Sequence, residues 1–68
     1  MITITSRCQT CDWKWKPRKA EGPELDFARA KRAGDAHGRE HRGHVVETKR
    51  DERFGRRWRL LELEITRS

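Results

Sequence analysis

The sequence predicts a small α+β domain, in which a β-hairpin packs against one helix and a C-terminal strand pair extends the sheet. Three observations support this fold class. Two alternating stretches flank a short cysteine turn, a helical stripe follows a loop rich in proline and glycine, and alternation returns near the C-terminus. A chain of 68 residues can build only one small core, so we expect one domain over residues 1–68.

The N-terminal segment predicts a β-hairpin whose turn carries both cysteines of the chain. Residues 2–5, "ITIT", alternate apolar and β-branched polar side chains, which is typical of a strand. Residues 12–16, "DWKWK", alternate again, and the turn between the two stretches contains Cys8 and Cys11. Two prolines and a glycine in residues 17–23 then predict a loop.

A helix is predicted from Glu24 to about Arg42. Pro23 suits the first turn of a helix, and early acidic residues suit its positive N-terminal end. Steps of three and four residues give one stripe, which we expect to face the hairpin, through Phe27, Ala30, Ala33 or Gly34, His37, His41 and His44. Because Gly43 is a natural C-cap, the helix should end just before it.

Residues 45–66 predict a C-terminal hairpin with a turn at "DERFG". Residues 56–66 fit two structures, because their leucines and isoleucine alternate with glutamates as in a strand and also recur at helical spacing. We favour the strand, since Ile2 and Ile4 need an apolar cross-strand partner. We also expect Trp58, and either Trp13 or Trp15, to lie in the core, because large aromatic side chains in so poor a core usually form it. The alternative is an aromatic platform on which bases stack.

The cysteines and histidines together predict a metal site. Only 32% of the residues are hydrophobic, so a chain of this size needs an additional source of stability. Cys8 and Cys11 are followed, after 25 residues, by three histidines within eight positions. Zinc takes thiolate and imidazole ligands in a tetrahedral shell. We therefore predict one structural Zn²⁺ per chain, held by both cysteines and two of the three histidines.

Three pairs of histidines could complete this site. His37 with His41 has the best helical geometry, because side chains four residues apart point the same way. His37 with His44 requires Gly43 to break the helix and turn His44 back. His41 with His44 would leave His37 beside the site or on the surface. The spacing leaves all three pairs open.

The order strand, C-x2-C, strand, helix, H-x3-H resembles the Cys2His2 zinc fingers over residues 7–46. The common finger has about 12 residues between cysteine and histidine, so its base-reading positions cannot be transferred to this longer chain. The segments "CQTCDW" and "RGHVV" are also similar to small basic one-finger proteins of actinobacteria and their phages. These resemblances imply a ββα finger with structural zinc that binds nucleic acid.

The chain is strongly basic, with 17 lysines and arginines against 11 acidic residues and a net charge of +6. Such a charge favours nucleic acid as a partner, although a solvated basic surface needs none. The predicted phosphate contacts lie on the helix and the C-terminal hairpin: Arg29, Lys31, Arg32, Arg39, Arg50, Arg53, Arg56 and Arg57.

A second hypothesis is a protein-interaction module. Residues 58–66, "WRLLELEIT", are apolar on one face and acidic on the other. Such a strand could add to the sheet of a larger protein, or to a second copy of this chain as a homodimer, whereas the finger alone would be a monomer.

Enzymatic and membrane functions are not expected. A catalytic zinc keeps an open position, and four protein ligands fill the shell. A redox cysteine pair would open a helix in a βαβ unit rather than precede a strand. The N-terminus lacks the pattern of a signal peptide, and no apolar run has membrane-spanning length. We therefore expect a cytoplasmic protein, in which thiols stay reduced.

Overall fold

The computed structural model describes residues 1–67 and confirms the predicted α+β fold. Four strands form an antiparallel sheet in the order β2-β1-β3-β4, and one helix packs on it. No helix in residues 1–67 combines the length and apolarity needed to cross a membrane. The elements in chain order are β1 (Ile2–Cys8), β2 (Lys14–Trp15), α1 (Pro23–Glu40), β3 (Val45–Phe54) and β4 (Arg57–Arg67).

The core lies between α1 and the central strands β1 and β3. Ile4, Phe27 and Ala30 form a buried cluster, and Trp15 packs against it. The predicted helical stripe is therefore confirmed from Phe27 to His37, because its members in α1 face the sheet and are buried. Buried side chains continue from this cluster toward the cysteine turn through Ser6, Val46, Thr48 and Cys8.

At Gly34, α1 approaches β3 so closely that no side chain fits. A Cβ atom at this position would lie 2.8 Å from Cγ1 of Val46 and 3.4 Å from Oγ of Ser6. Glycine costs roughly 1 kcal/mol of helix propensity relative to alanine. The close packing of helix on sheet gives a physical reason for accepting that cost.

The strand prediction for residues 56–66 is confirmed, but our reason for it was wrong. β4 lies at the edge of the sheet, next to β3 and not next to β1. Ile4 lies opposite Arg50 of β3, and its apolar contacts come from α1 instead. The prediction of a core position for Trp58 is also wrong, because this side chain is 58% exposed. Trp58 lies near the tip of the β3–β4 hairpin, beyond Glu52, which is the last residue of β3 that pairs with β1.

Several strand boundaries differ from the prediction. β1 continues to Cys8 because its whole length pairs with β3. β2 has only two residues, so Trp13 precedes the strand. The segment "DERFG", predicted as a turn, mostly belongs to β3, and Gly55 makes the reversal with φ of 58°.

A bulge interrupts the pairing of β3 and β4. Arg50 lies opposite Glu62, but Asp51 lies opposite Leu60, so Leu61 is the additional residue. Arg50 lies on the helix side, with its guanidinium 5.3 Å from the Phe27 ring centroid. Since strand residues alternate between faces, the other sheet face receives a row of large apolar side chains, which are 41–58% exposed: Trp58, Leu60, Leu61, Leu63 and Ile65.

We expect Gly34→Ala to destabilise the protein, although alanine favours helix. The added methyl group would overpack the contact with Val46 and cost about 1–3 kcal/mol. Denaturant unfolding of the metal-loaded protein measures this change. Val46→Ala is the matched control, because removing Cγ1 should make the double variant less unstable than the sum of both single variants. A more stable Gly34→Ala protein would contradict the close approach.

Candidate metal centre

The cysteine turn is hydrogen-bonded to both β2 and the start of β3. The Cys8 amide donates to the Trp13 carbonyl at 2.9 Å, which closes the turn. The Gln9 amide donates to the Val45 carbonyl at 2.8 Å, and the Val45 amide donates to Oγ1 of Thr10 at 3.3 Å. These bonds place the cysteines beside the chain segment that leads out of α1.

The histidines reach the cysteines because the helix stops early. His37 lies in the last turn of α1, and the His41 amide donates to its carbonyl at 2.9 Å. The chain then leaves the helix, and Gly43 adopts φ of 87°, a left-handed conformation that favours glycine. This reversal turns His44 back toward the end of β1.

Cys8, Cys11, His37 and His44 together form a group that could hold a metal ion. Their four ligand atoms lie within 4.8 Å of one another. Sγ of Cys8 is 3.4 Å from Nδ1 of His44, and Sγ of Cys11 is 3.4 Å from Nε2 of His37. Tetrahedral zinc with ordinary bond lengths separates sulfur and nitrogen ligands by about 3.5 Å. The donor set and its spacing therefore fit a tetrahedral ion.

The protonation of two donors also favours metal binding. Burial raises the pKa of the Cys8 thiol, but hydrogen bonds from Thr10 and Cys11 outweigh burial and hold this pKa below its usual value. The Thr10 amide is one such donor, at 3.4 Å from Sγ. Burial lowers the pKa of His37, and His41 and His44 lower it further. Thiolate and neutral imidazole are the forms that bind metal.

The structure brings together the second of the three histidine pairs considered from the sequence. His41 is exposed and is not a member of the four-residue group. Its ring centroid lies 4.7 Å from that of His37 and 5.2 Å from that of His44. Trp13 stacks on His37 with ring centroids 4.7 Å apart. Trp13 and His41 therefore both pack against the four-residue group without belonging to it.

The two cysteines are free thiols, with Cys8 buried and Cys11 exposed. They precede the short strand β2 and do not open a helix. This context differs from that of a thioredoxin-like redox pair. The neighbouring imidazoles make metal binding the chemistry that the arrangement suits.

Half of the predicted phosphate-contacting residues have partners within the protein. Arg29 pairs with Glu21 at 2.5 Å, Lys31 with Glu64 at 2.7 Å, and Arg50 with Glu62 at 3.0 Å. Arg53 donates through Nε to the Gly55 carbonyl at 2.8 Å, and its guanidinium lies 5.6 Å from the Trp58 ring centroid. Within residues 1–67, the other four make no ion pair: Arg32, Arg39, Arg56 and Arg57.

The sequence prediction omitted a second basic group between β2 and α1. It consists of exposed side chains that make no ion pair within residues 1–67, namely Lys14, Lys16, Arg18 and Lys19. The signal was present as the run "KWKPRK", in which no acidic residue interrupts the cations. On the sequence alone, we assign this run to a strand followed by a loop, with its tryptophan in the core or stacked on bases, and we place no phosphate contact on its cations.

Comparison with known proteins identifies no family for this chain. No protein-family profile matches it, and neither a curated protein nor a solved structure shows significant similarity to it. Membership of the Cys2His2 finger family therefore stays a prediction. The metal site is therefore supported by the geometry of its four donor residues, and not by similarity to a known protein.

We expect His44→Gln to lose the metal and His41→Gln to retain it. Wild type and His41→Gln should each contain about one ion per chain, and His44→Gln only a small fraction of that amount. Elemental analysis of the purified proteins measures the content. Circular dichroism before and after a strong chelator shows whether helix content depends on the ion.

The two variants form a matched pair, because both replace a histidine whose ring lies against His37. Loss of metal from His41→Gln and retention by His44→Gln would assign His41 to the ligand set instead. Retention by both variants would mean that neither imidazole is needed.

Proposed function

We propose that this protein is a small zinc-stabilised domain that binds nucleic acid through lysine and arginine contacts to phosphates. The observation that carries the proposal is a basic surface that remains unpaired on a scaffold fixed by a compact Cys2His2 group. The proposal has two parts, the structural role of the metal and the electrostatic role of the surface.

Zinc is the ion that best suits the donor set, because two thiolates and two imidazoles are a common structural zinc combination. Four protein ligands leave no open position for water or substrate, so the ion would stabilise the fold and not catalyse a reaction. The apolar core is small, with Ile4, Phe27 and Ala30 as its buried cluster. The free thiols are consistent with a reducing compartment, and we place the protein in the cytoplasm.

The excess positive charge supports nucleic acid as the partner. In the part of the chain that the structure describes, residues 1–67, ion pairs engage four acidic residues: Glu21, Glu47, Glu62 and Glu64. Two groups of unpaired cations are available for phosphates. One lies on α1 and the hairpin tip (Arg32, Arg39, Arg56, Arg57), and the other is the run from Lys14 to Lys19.

We expect the metal-loaded protein to bind oligonucleotides with an affinity that falls as salt rises. The logarithm of the binding constant should decrease linearly with the logarithm of salt concentration, by about 0.7 per phosphate contact for a single strand and about 0.9 for a duplex. Fluorescence anisotropy with labelled oligonucleotides measures this slope. A methylphosphonate oligonucleotide of the same sequence, whose backbone is uncharged, is the matched control and should not bind. Salt-independent affinity, or equal binding of the control, would contradict the proposal.

A second candidate function is docking of another protein on β4. Large apolar side chains of this edge strand are exposed on the face away from α1, including Leu61, Leu63 and Ile65. Exposed apolar rows on an open edge strand favour addition of a partner strand. Glu62 and Glu64 lie on the opposite face of the same strand, on the side of α1.

In symmetric registers centred on Glu62, Leu63 or Glu64, the charge pattern disfavours a second copy of the chain and favours a different protein. In a symmetric antiparallel pair of β4 strands centred on Leu63, Glu62 would lie opposite Glu64 of the other copy. Centring the pair on Glu62 or Glu64 places that residue opposite itself. Like charges directly opposite each other destabilise a strand pair. The preferred occupant is therefore a strand with apolar residues on one face and basic residues on the other.

We expect β4 to bind a peptide that alternates valine and lysine, with slower exchange of the β4 amides measured by NMR. Replacing both carboxylates, Glu62→Gln with Glu64→Gln, should weaken this binding several-fold because the charge complement is lost. Asp12→Asn with Glu24→Gln removes the same charge outside β4 and should change binding little. Equal weakening by both double variants would argue against docking on β4.

A further inference from the structure

The run of cations from β2 to the loop before α1 borders two cavities that share Trp15 and Lys16. One cavity of about 450 Å³ is lined by Arg7, Lys14, Trp15 and Lys16, among others. A second, of about 520 Å³, is lined by Trp15, Lys16, Arg18, Lys19 and Arg29, among others. Trp15 and Lys16 line both cavities. We call the second cavity, which also borders Arg29 of α1, the Trp15 groove.

The groove has a strongly positive lining. Lys16, Arg18 and Lys19 line it, are exposed and make no ion pair within residues 1–67. Glu21 is the one acidic residue that lines the Trp15 groove, and Arg29 already pairs with it. The field along the groove is therefore set by cations that have no carboxylate to neutralise them.

Trp15 gives this groove a fixed aromatic wall. The side chain is half-buried and packs against the cluster of Ile4, Phe27 and Ala30, so the core holds its position. Trp15 also lines the groove, together with Lys16, Arg18 and Lys19. A rigid aromatic surface between lysines is the combination that single-strand binding proteins use, with phosphates on the cations and bases on the ring.

Two other basic surfaces suit a single strand less well. On α1, Arg32 and Arg39 are interleaved with the carboxylates Glu24, Asp35 and Glu40. The hairpin tip carries an exposed Trp58, but the Arg53 guanidinium already lies over that ring. Neither surface combines a cavity with an uninterrupted run of cations.

We propose that the Trp15 groove binds the sugar–phosphate backbone of single-stranded nucleic acid and places a base against Trp15. This inference rests on the proposed nucleic-acid function and assigns it a site and a strand state. The unpaired bases of a single strand are free to meet an aromatic wall, whereas a duplex presents base edges only within its grooves. The contact surface then lies beside β2 and not on the helix that a zinc finger would place in the major groove.

The test compares three triple variants that each remove three positive charges from the metal-loaded full chain. The groove variant carries Lys16→Gln, Arg18→Gln and Lys19→Gln. The helix-and-tip variant carries Arg32→Gln, Arg56→Gln and Arg57→Gln. The control variant carries Arg42→Gln, Arg59→Gln and Arg67→Gln, which are also exposed and unpaired within residues 1–67. The probes are labelled single-stranded DNA and RNA of about ten nucleotides, and a duplex of matched length.

We expect the groove variant to lose at least about tenfold in single-strand affinity at moderate salt, and its salt slope to fall by about 2. The control and helix-and-tip variants should each lose less than about threefold. Circular dichroism and metal content should match wild type in all three, so that a loss of binding is not a loss of fold.

Each other outcome overturns the inference in a distinguishable way. Equal losses in all three variants would mean that binding follows net charge, and preferential loss in the helix-and-tip variant would move the site there. Tighter binding of the duplex than of the single strand would overturn the assignment of single-stranded nucleic acid as the ligand. These three results leave the proposed nucleic-acid function intact, whereas absence of any binding by wild type removes both.

Trp15 provides an independent readout. In a Trp13→Phe, Trp58→Phe background, Trp15 is the remaining tryptophan, and its fluorescence should be quenched when a single strand binds. Saturating binding without quenching would overturn the placement of a base against Trp15.

Discussion

The convergence of two cysteines and two histidines is the constraint on which the remaining structure depends. Cys8 ends β1 and His44 precedes β3, so a bond of each to one ion would fasten two neighbouring strands at the same end of the sheet. His37 adds the last turn of α1 to this point. Helix and sheet would thus be joined where the apolar core is thinnest. The small buried cluster can then suffice, because metal binding contributes directly to the free energy of folding.

Much of the fold could be predicted from local patterns in the sequence. Alternation identified the strands, the steps of three and four identified the buried face of α1, and the spacing of the cysteines and histidines identified the donors of the candidate site. The strands and the buried helix face could be predicted because each depends on the spacing of apolar residues within one element. The choice of His44 over His41 could not be predicted in this way. It depends on the left-handed turn at Gly43, which redirects the chain after the helix has ended.

Features that depend on non-local pairing were not accessible from the sequence. Nothing local shows that β3, and not β4, lies beside β1, so Ile4 was assigned the wrong neighbour. Ion pairs between residues that are distant along the chain could not be predicted for the same reason. Lys31 and Arg50 look like free surface cations in the sequence, but Glu64 and Glu62, distant along the chain, pair with them. Pairing across elements removes some cations from the available surface and leaves the run from Lys14 to Lys19.

The bulge at Arg50 and Asp51 decides which residues of β4 lie on which face of the sheet between the bulge and the hairpin tip. If the same sequence continued from Arg50 and Glu62 in a regular register, Trp58 would lie across from Phe54 on the helix side, instead of across from Arg53 on the outer face. Deletion of Leu61 would remove the bulge but leave Leu60 across from Asp51 and Trp58 across from Arg53, so the faces of the tip would stay as they are. The cysteines, the histidines and α1 lie outside this segment and would keep their places. The bulge thus keeps Trp58 and Leu60 on the same face as Leu63 and Ile65, whereas a regular register of the same sequence would place Trp58 and Leu60 on the helix side.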